Sequence, residues 1–214
     1  MRLTLTMFVT LDGVMQGPGG PDEDTSGGFD LGGWVVPYMD DDMVRAMAGW
    51  FARADAFLLG RRTYEIFAAS WPMVTDPGDP IASRLNNLPK YVASGTLETV
   101  SWEHSTLLRG DLATEVAELK RSPGRELQVH GSGGLAQTLI QHDLIDEYRL
   151  LTYPVVLGKG KRLFADGAKP AALNVIDHKT TSTAVSIDVY TPAGEPTYGA
   201  VGAEIDEQRN TPDA

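Results

Sequence analysis

Two glycine turns carry the residues most suited to chemistry. In the first, Leu127 and Val129 form an apolar run that stops at His130-Gly131-Ser132-Gly133-Gly134, and Leu135, Leu139 and Ile140 then follow at helical spacing. This reads as a strand, a tight turn and a helix start. Backbone N–H groups at a helix start attract anions, and glycine lets a phosphate approach closely. The cluster fits the loose pattern Gly131-x-Gly133-x-x-Ala136. A dinucleotide fingerprint of that kind normally opens the first strand–helix unit, with an acid about 20 residues later. Here it lies past the midpoint, and Asp143, Asp146 and Glu147 come too early. A plain helix start with helpful glycines is the competing reading.

The second turn is Gly60-Arg61-Arg62-Thr63, after the apolar residues 56–59. Guanidinium groups match phosphate oxygens bidentately and keep their charge. Two such turns on neighbouring strands clamp a dinucleotide, and the arginine pair favours the 2′-phosphorylated form, NADPH, over NADH. A solvated basic pair is the alternative. Asp12, at the end of the first strand, is placed to orient a substrate or transfer a proton, although Asp-Gly is also ordinary turn chemistry. His104, His130, His142 and His178 are scattered, no cysteine is present and no Gly-x-Ser-x-Gly occurs, so no metal site or serine hydrolase is expected. Gly158-Lys159-Gly160-Lys161 lacks the Gly-Lys-Ser/Thr of a phosphate loop.

These turns need a scaffold. Leu3, Leu5, Met7 and Val9 alternate with Thr4, Thr6 and Phe8, which predicts a strand. Residues 16–33, rich in glycine, proline and acids, predict a long loop, either a lid or a disordered segment. Met43, Met47, Trp50 and Phe51 after Asp40-Asp41-Asp42 predict an amphipathic helix with acids at its positive end. Further strands are expected at 56–59, 91–94 and 147–153, and helices at 61–69 and around 112–119. Two late strands, at 173–176 and 185–189, are expected to form an antiparallel pair. The alternation implies an α/β fold with a largely parallel sheet and helices on both faces. Residues 1–192 read as one domain and 193–214 as a polar, flexible tail.

The 214 residues carry a net charge of −11, which argues against nucleic acid as a partner. No apolar run reaches the roughly 20 residues of a membrane span. The start lacks a signal-peptide pattern, and with the absence of cysteine this gives a cytoplasmic expectation.

Thr10-Leu11-Asp12-Gly13, residues 59–65, residues 90–94, the block from Gly131 to Leu135, residues 144–150 and residues 154–160 occur in an order that resembles the dihydrofolate reductase-like superfamily. The nearest resemblance is to the C-terminal reductase domain of the riboflavin-pathway deaminase–reductase (RibD-like), in stand-alone form, over about residues 2–191. It implies a three-layer α/β/α fold with a mixed sheet of about eight strands, a C-terminal antiparallel hairpin and NADPH across the carboxyl edge.

By that resemblance, Gly60, Arg61, Arg62 and Thr63 hold cofactor phosphates. Ser94 lies near the adenosine 2′-phosphate. Gly131, Ser132, Gly133, Gly134 and Leu135 lie under the pyrophosphate, with a cis Gly133–Gly134 bond, and Thr138 one turn further. Asp12 to Met15 sit beside the nicotinamide, and Trp34, with Pro37, near a small-molecule substrate. A homodimer paired through sheet-edge and hairpin surfaces is also implied. The activity implied is an NADPH-dependent reduction of a small heterocyclic or carbonyl/imine substrate, similar to 5-amino-6-(5-phosphoribosylamino)uracil reduction. A nucleotide-binding module without turnover and a dihydrofolate reductase are the alternatives. Met39 or Val44 falls where dihydrofolate reductases carry an acid on the first helix, which speaks against folate.

Overall fold

The computed structural model describes residues 1–201. Eight strands form one sheet in the order β4-β3-β2-β5-β1-β6-β8-β7. They are β1 (Arg2–Thr10), β2 (Ala54–Gly60), β3 (Lys90–Ala93), β4 (Ser105–Leu108), β5 (Glu126–His130), β6 (Glu147–Tyr153), β7 (Leu173–Thr180) and β8 (Ser186–Pro192). From β4 to β6 every neighbour is parallel, while β8 pairs antiparallel with both β6 and β7. The helices are α1 (Asp41–Phe51), α2 (Arg61–Ser70), α3 (Ala82–Asn87), α4 (Leu112–Arg121) and α5 (Gly133–Gln141). The expected mixed sheet with a C-terminal hairpin is therefore present. The short β4 and α3 are elements that periodicity does not reveal.

The alternating residues of β1 explain the two layers. Leu3, Leu5, Met7 and Val9 join Leu127, Val129, Leu139 and Ile140 in a core beneath α4 and α5. On the opposite face, Phe51, Phe57, Leu59, Tyr64 and Leu85 form a second core under α1, α2 and α3. Met43, Trp50, Leu151, Tyr153 and Ile187 form a third beside the hairpin. The aspartate run before α1 is structural. Asp40 caps the helix by accepting from the Met43 N–H at 2.9 Å, and its carboxylate also accepts from Ser182 Oγ at 2.7 Å and the Thr183 N–H at 3.1 Å. One residue thus starts α1 and pins the β7–β8 turn.

The connection after β2 leads outward through α2 to β3, whereas that after β5 leads through α5 to β6 on the other side of β1. Neighbouring strands whose connections leave in opposite directions open a crevice at their carboxyl ends, the usual ligand position in an open α/β sheet. Gly60 ends β2 and His130 ends β5, so both glycine turns open onto this crevice.

Candidate active site

The two turns are bonded to each other. The Gly60 N–H donates to Ser132 Oγ at 3.0 Å, and the Ser132 N–H donates to Thr63 Oγ1 at 3.0 Å. Ser132 Oγ in turn donates to the His130 carbonyl at 3.1 Å. Gly131 (φ 55°) and Ser132 (φ 56°) are consecutive left-handed residues, and they turn the chain sharply into α5. All peptide bonds among the described residues are trans, so the expected cis Gly133–Gly134 bond is corrected. The left-handed pair supplies the bend instead. Within α5, the Ala136 N–H bonds back to the Ser132 carbonyl at 2.9 Å. The N–H groups of Gly133, Gly134 and Leu135 precede that first helical bond and are available to an anion.

These turns border a cleft of about 1160 Å³. Gly60, Arg61, Arg62, Thr63, Ser94, Met15, the stretch Gly131 to Leu135 and Thr138 all line it, so the structure brings together every cofactor residue expected from the sequence. A Cβ on Gly134 would meet nothing within 4 Å, and one on Gly131 would touch Thr63 Oγ1 at 3.6 Å, so the turn leaves open space that a phosphate can fill. The Met15 thioether packs directly on Gly133, where an added Cβ would stand 2.5 Å from Met15 Cε.

Asp12 and Trp34 are placed differently from expectation, since neither is among the residues lining the cleft. The Asp12 carboxylate accepts from Thr10 Oγ1 at 2.6 Å and from the N–H groups of Leu157 (3.2 Å) and Gly158 (2.9 Å), with Arg162 also facing it at 3.4 Å. The Thr10 hydroxyl and the loop N–H groups hold it far below the ordinary carboxylate range. Asp12 thus has no proton to give near neutrality, and it ties the end of β1 to residues 157–162. Trp34 is buried against Tyr153, ring centroids 5.3 Å apart, with Nε1 donating to the Gln16 carbonyl at 2.8 Å. It supports the loop from behind.

Residues 16–33 form an ordered strap along the cleft. Buried Gln16 donates to the carbonyls of Asp24 (3.0 Å) and Ser26 (2.9 Å) and accepts from the Lys161 N–H at 3.0 Å. Asp24 lies between two cations, paired with Arg62 on one side and with Lys161 Nζ at 2.7 Å on the other. Burial raises the Asp24 pKa, but the bonds from Lys161, Ser26 and Arg62 outweigh it and keep the carboxylate ionised. Glu23 is the other acid lining the cleft. Burial pushes its carboxyl above the ordinary value, against the opposing N–H groups of Gly19 and Gly20. From α1 the cleft receives Met47 and Phe51 and no acid.

Thr6, Glu23, Asp24, His130 and Lys161 also line the cleft, and none of them is among the site residues expected from the sequence. Lys161 sits in the 158–161 segment that fails as a phosphate loop, and its place depends on contacts with residues far away in the chain. His130 had a local signal. Glu126, Gln128 and His130 make a period-two polar row on a central strand whose other face is apolar.

The layered sheet, the switch-point cleft and the paired glycine turns define a dihydrofolate reductase-like α/β protein. The sequence matches the RibD C-terminal domain over residues 2–187, and the chain belongs to that family. It is 30% identical over 191 residues to the uncharacterized protein YyaP of Bacillus subtilis, an alignment spanning 88% of this chain and 94% of YyaP. Among solved structures, a protein of Shewanella sp. PV-4 assigned by name to riboflavin biosynthesis superposes with a TM-score of 0.67 at 23% identity, covering 90% of this chain and 99% of that one. The deaminase/5-amino-6-(5-phosphoribosylamino)uracil reductase of Thermotoga maritima superposes with a TM-score of 0.60 at 15% identity. There the match covers 90% of this chain and 56% of the Thermotoga chain. These structural likenesses establish the fold.

Proposed function

We propose that the protein is an NADPH-dependent reductase acting on a small heterocyclic or carbonyl/imine substrate, similar in reaction to the reduction of 5-amino-6-(5-phosphoribosylamino)uracil. The observation that carries this reading is the bonded pair of turns at Gly60 and Ser132, floored by glycine and flanked by Arg61 and Arg62. The N–H groups of Gly133 to Leu135 would hold the diphosphate, and the arginines with Ser94 the 2′-phosphate. When bound, NADPH supplies the hydride. This chain's residues orient the partners and exclude water. Met15 and the 16–33 strap cover the cleft from one side, and Phe51 and Met47 supply an apolar wall. In place of Asp12, Glu23 is the acid assigned to the proton transfer, because it lines the cleft and burial raises its pKa.

Thermal unfolding with added nucleotide tests the reading, since a ligand bound only to the native state raises the midpoint. NADPH should raise it well above NADH at equal concentration, and Arg61→Ala and Arg62→Ala should each reduce that gain. Equal shifts with both nucleotides, or none, would remove the assignment. Glu23→Gln should lower kcat while leaving NADPH affinity unchanged. A nucleotide-binding module without turnover would instead show the protection and no NADPH oxidation.

A further inference from the structure

The cleft has a polar floor that the cofactor reading leaves unused. His130 lines the cleft yet is only 4% exposed, and its ring stacks on Phe51 with centroids 4.4 Å apart and 13° between planes. Its Nε2 faces Gln128 Oε1 at 3.1 Å. The Gln128 amide nitrogen is fixed by two groups that only accept, the Trp50 carbonyl at 2.7 Å and Glu126 Oε2 at 2.6 Å. Glu126 is in turn anchored through Oε1 by Arg149 and Arg53, each at 2.9 Å. Gln128 therefore turns its oxygen towards His130, and His130 Nε2 must carry the hydrogen. Nδ1 is the remaining polar atom of the ring, and it makes no hydrogen bond among the described residues.

Thr6 is the parallel register partner of His130 on β1, so the two side chains share a sheet face. It also lines the cleft, is 2% exposed, and its Oγ1 has no hydrogen-bond partner among the described residues. Thr6 Oγ1 is thus a fully buried polar atom without a partner among the described residues, which a native structure tolerates poorly unless a ligand meets it, and His130 Nδ1 stands unbonded beside it on the same face.

We propose that His130 and Thr6 form the substrate-recognising floor of the cleft, where His130 Nδ1 accepts from a ring N–H or O–H of a neutral planar heterocycle. This deepens the reductase reading and rests on it. Thr6 Oγ1 serves the neighbouring position, where a hydroxyl suits either a carbonyl or a second donor. A site built to bond a donor discriminates strongly against an analogue that lacks it, because the buried acceptor is then left unpaired.

Lumazine, which has two ring N–H groups, and 1,3-dimethyllumazine, which has none, are suitable probes on protein saturated with NADP⁺. Lumazine should bind at least tenfold more tightly by fluorescence titration. In protein carrying ¹⁵N-histidine at pH 7, the free His130 spectrum should show hydrogen on Nε2 only, and lumazine alone should move the Nδ1 resonance. His130→Phe keeps the stack on Phe51 and should abolish the preference. Thr6→Val, nearly isosteric, should reduce it and covers the case where the histidine variant does not fold. Equal affinity of the two probes, an Nδ1–H tautomer, or no binding of lumazine by NADP⁺-loaded protein overturns the inference. Failure of NADP⁺ itself to bind overturns the reductase reading and the inference with it.

Discussion

Single carboxylates and one imidazole set the behaviour of this cleft. Asp24 gives Arg62 and Lys161 an internal anion, so a phosphate arriving at Arg62 must compete with it. Apparent affinity falls by the fraction of molecules in which the cation is free. Asp24→Asn should therefore tighten NADP⁺ binding by about fivefold, with a smaller change for NAD⁺, as read by calorimetric titration. The same variant should expose the 16–33 strap to proteolysis, because Lys161 loses its partner there. His130 acts on stability. Burial, with Arg149 nearby, brings its pKa down to about 3, against an ordinary value of 6.5. Between those values the unfolded chain binds a proton that the native state refuses, so stability falls as pH drops from 6.5 towards 3. For one group the slope is about 1.4 kcal/mol per pH unit. Urea unfolding at pH 7 and pH 5 should show wild type losing more stability than His130→Phe, and equal losses would show that the imidazole is not held neutral.

The paired turns are the element on which nucleotide binding depends. Ser132 combines a left-handed backbone (φ 56°) with a hydroxyl that satisfies the Gly60 N–H. Two substitutions separate these roles. Ser132→Ala keeps the backbone strain and leaves that N–H unpaired, and should cost about 1–3 kcal/mol in chemical denaturation. Ser132→Gly loses the same bond but relieves the left-handed strain, so it should be less damaging by roughly 1 kcal/mol. Both should weaken NADPH binding, because one of the two bonds between the starts of α2 and α5 is lost and only that from the Ser132 N–H to Thr63 Oγ1 remains. The turns were legible because their signals are local: a strand ends, glycines follow and a helical spacing begins. Asp12 and Trp34 were not. Asp12 meets Leu157 and Gly158 across some 145 positions, and Trp34 meets Gln16 through a loop without periodicity. β4 is four residues long and α3 six, too short for a pattern to build up.

Across the whole molecule, the sheet carries an ionic network through its centre. Arg149 on β6 is fully buried and bonds Glu126 on β5 at 2.9 Å and Glu147 at 2.6 Å, while Arg53 and Arg2 reach the same two carboxylates from the rim. Trp50 places its ring 5.3 Å from the guanidinium. Such a network is no guarantee of stability, because desolvation offsets much of the attraction, but removing one partner leaves uncompensated buried charge. Arg149→Met should cost about 3–5 kcal/mol, measured as a lower urea midpoint at unchanged slope. Charge reversal elsewhere on this acidic surface should have far smaller effects, since exposed pairs contribute about 0–1 kcal/mol. The network also reaches the cleft, because Glu126 orients Gln128 and Gln128 orients His130. If Arg149→Met folds, its His130 should become a mixture of tautomers by ¹⁵N spectroscopy. A fixed Nε2–H tautomer there would show that Gln128 alone sets the ring, and that the ionic centre of the sheet supports the fold without governing the site.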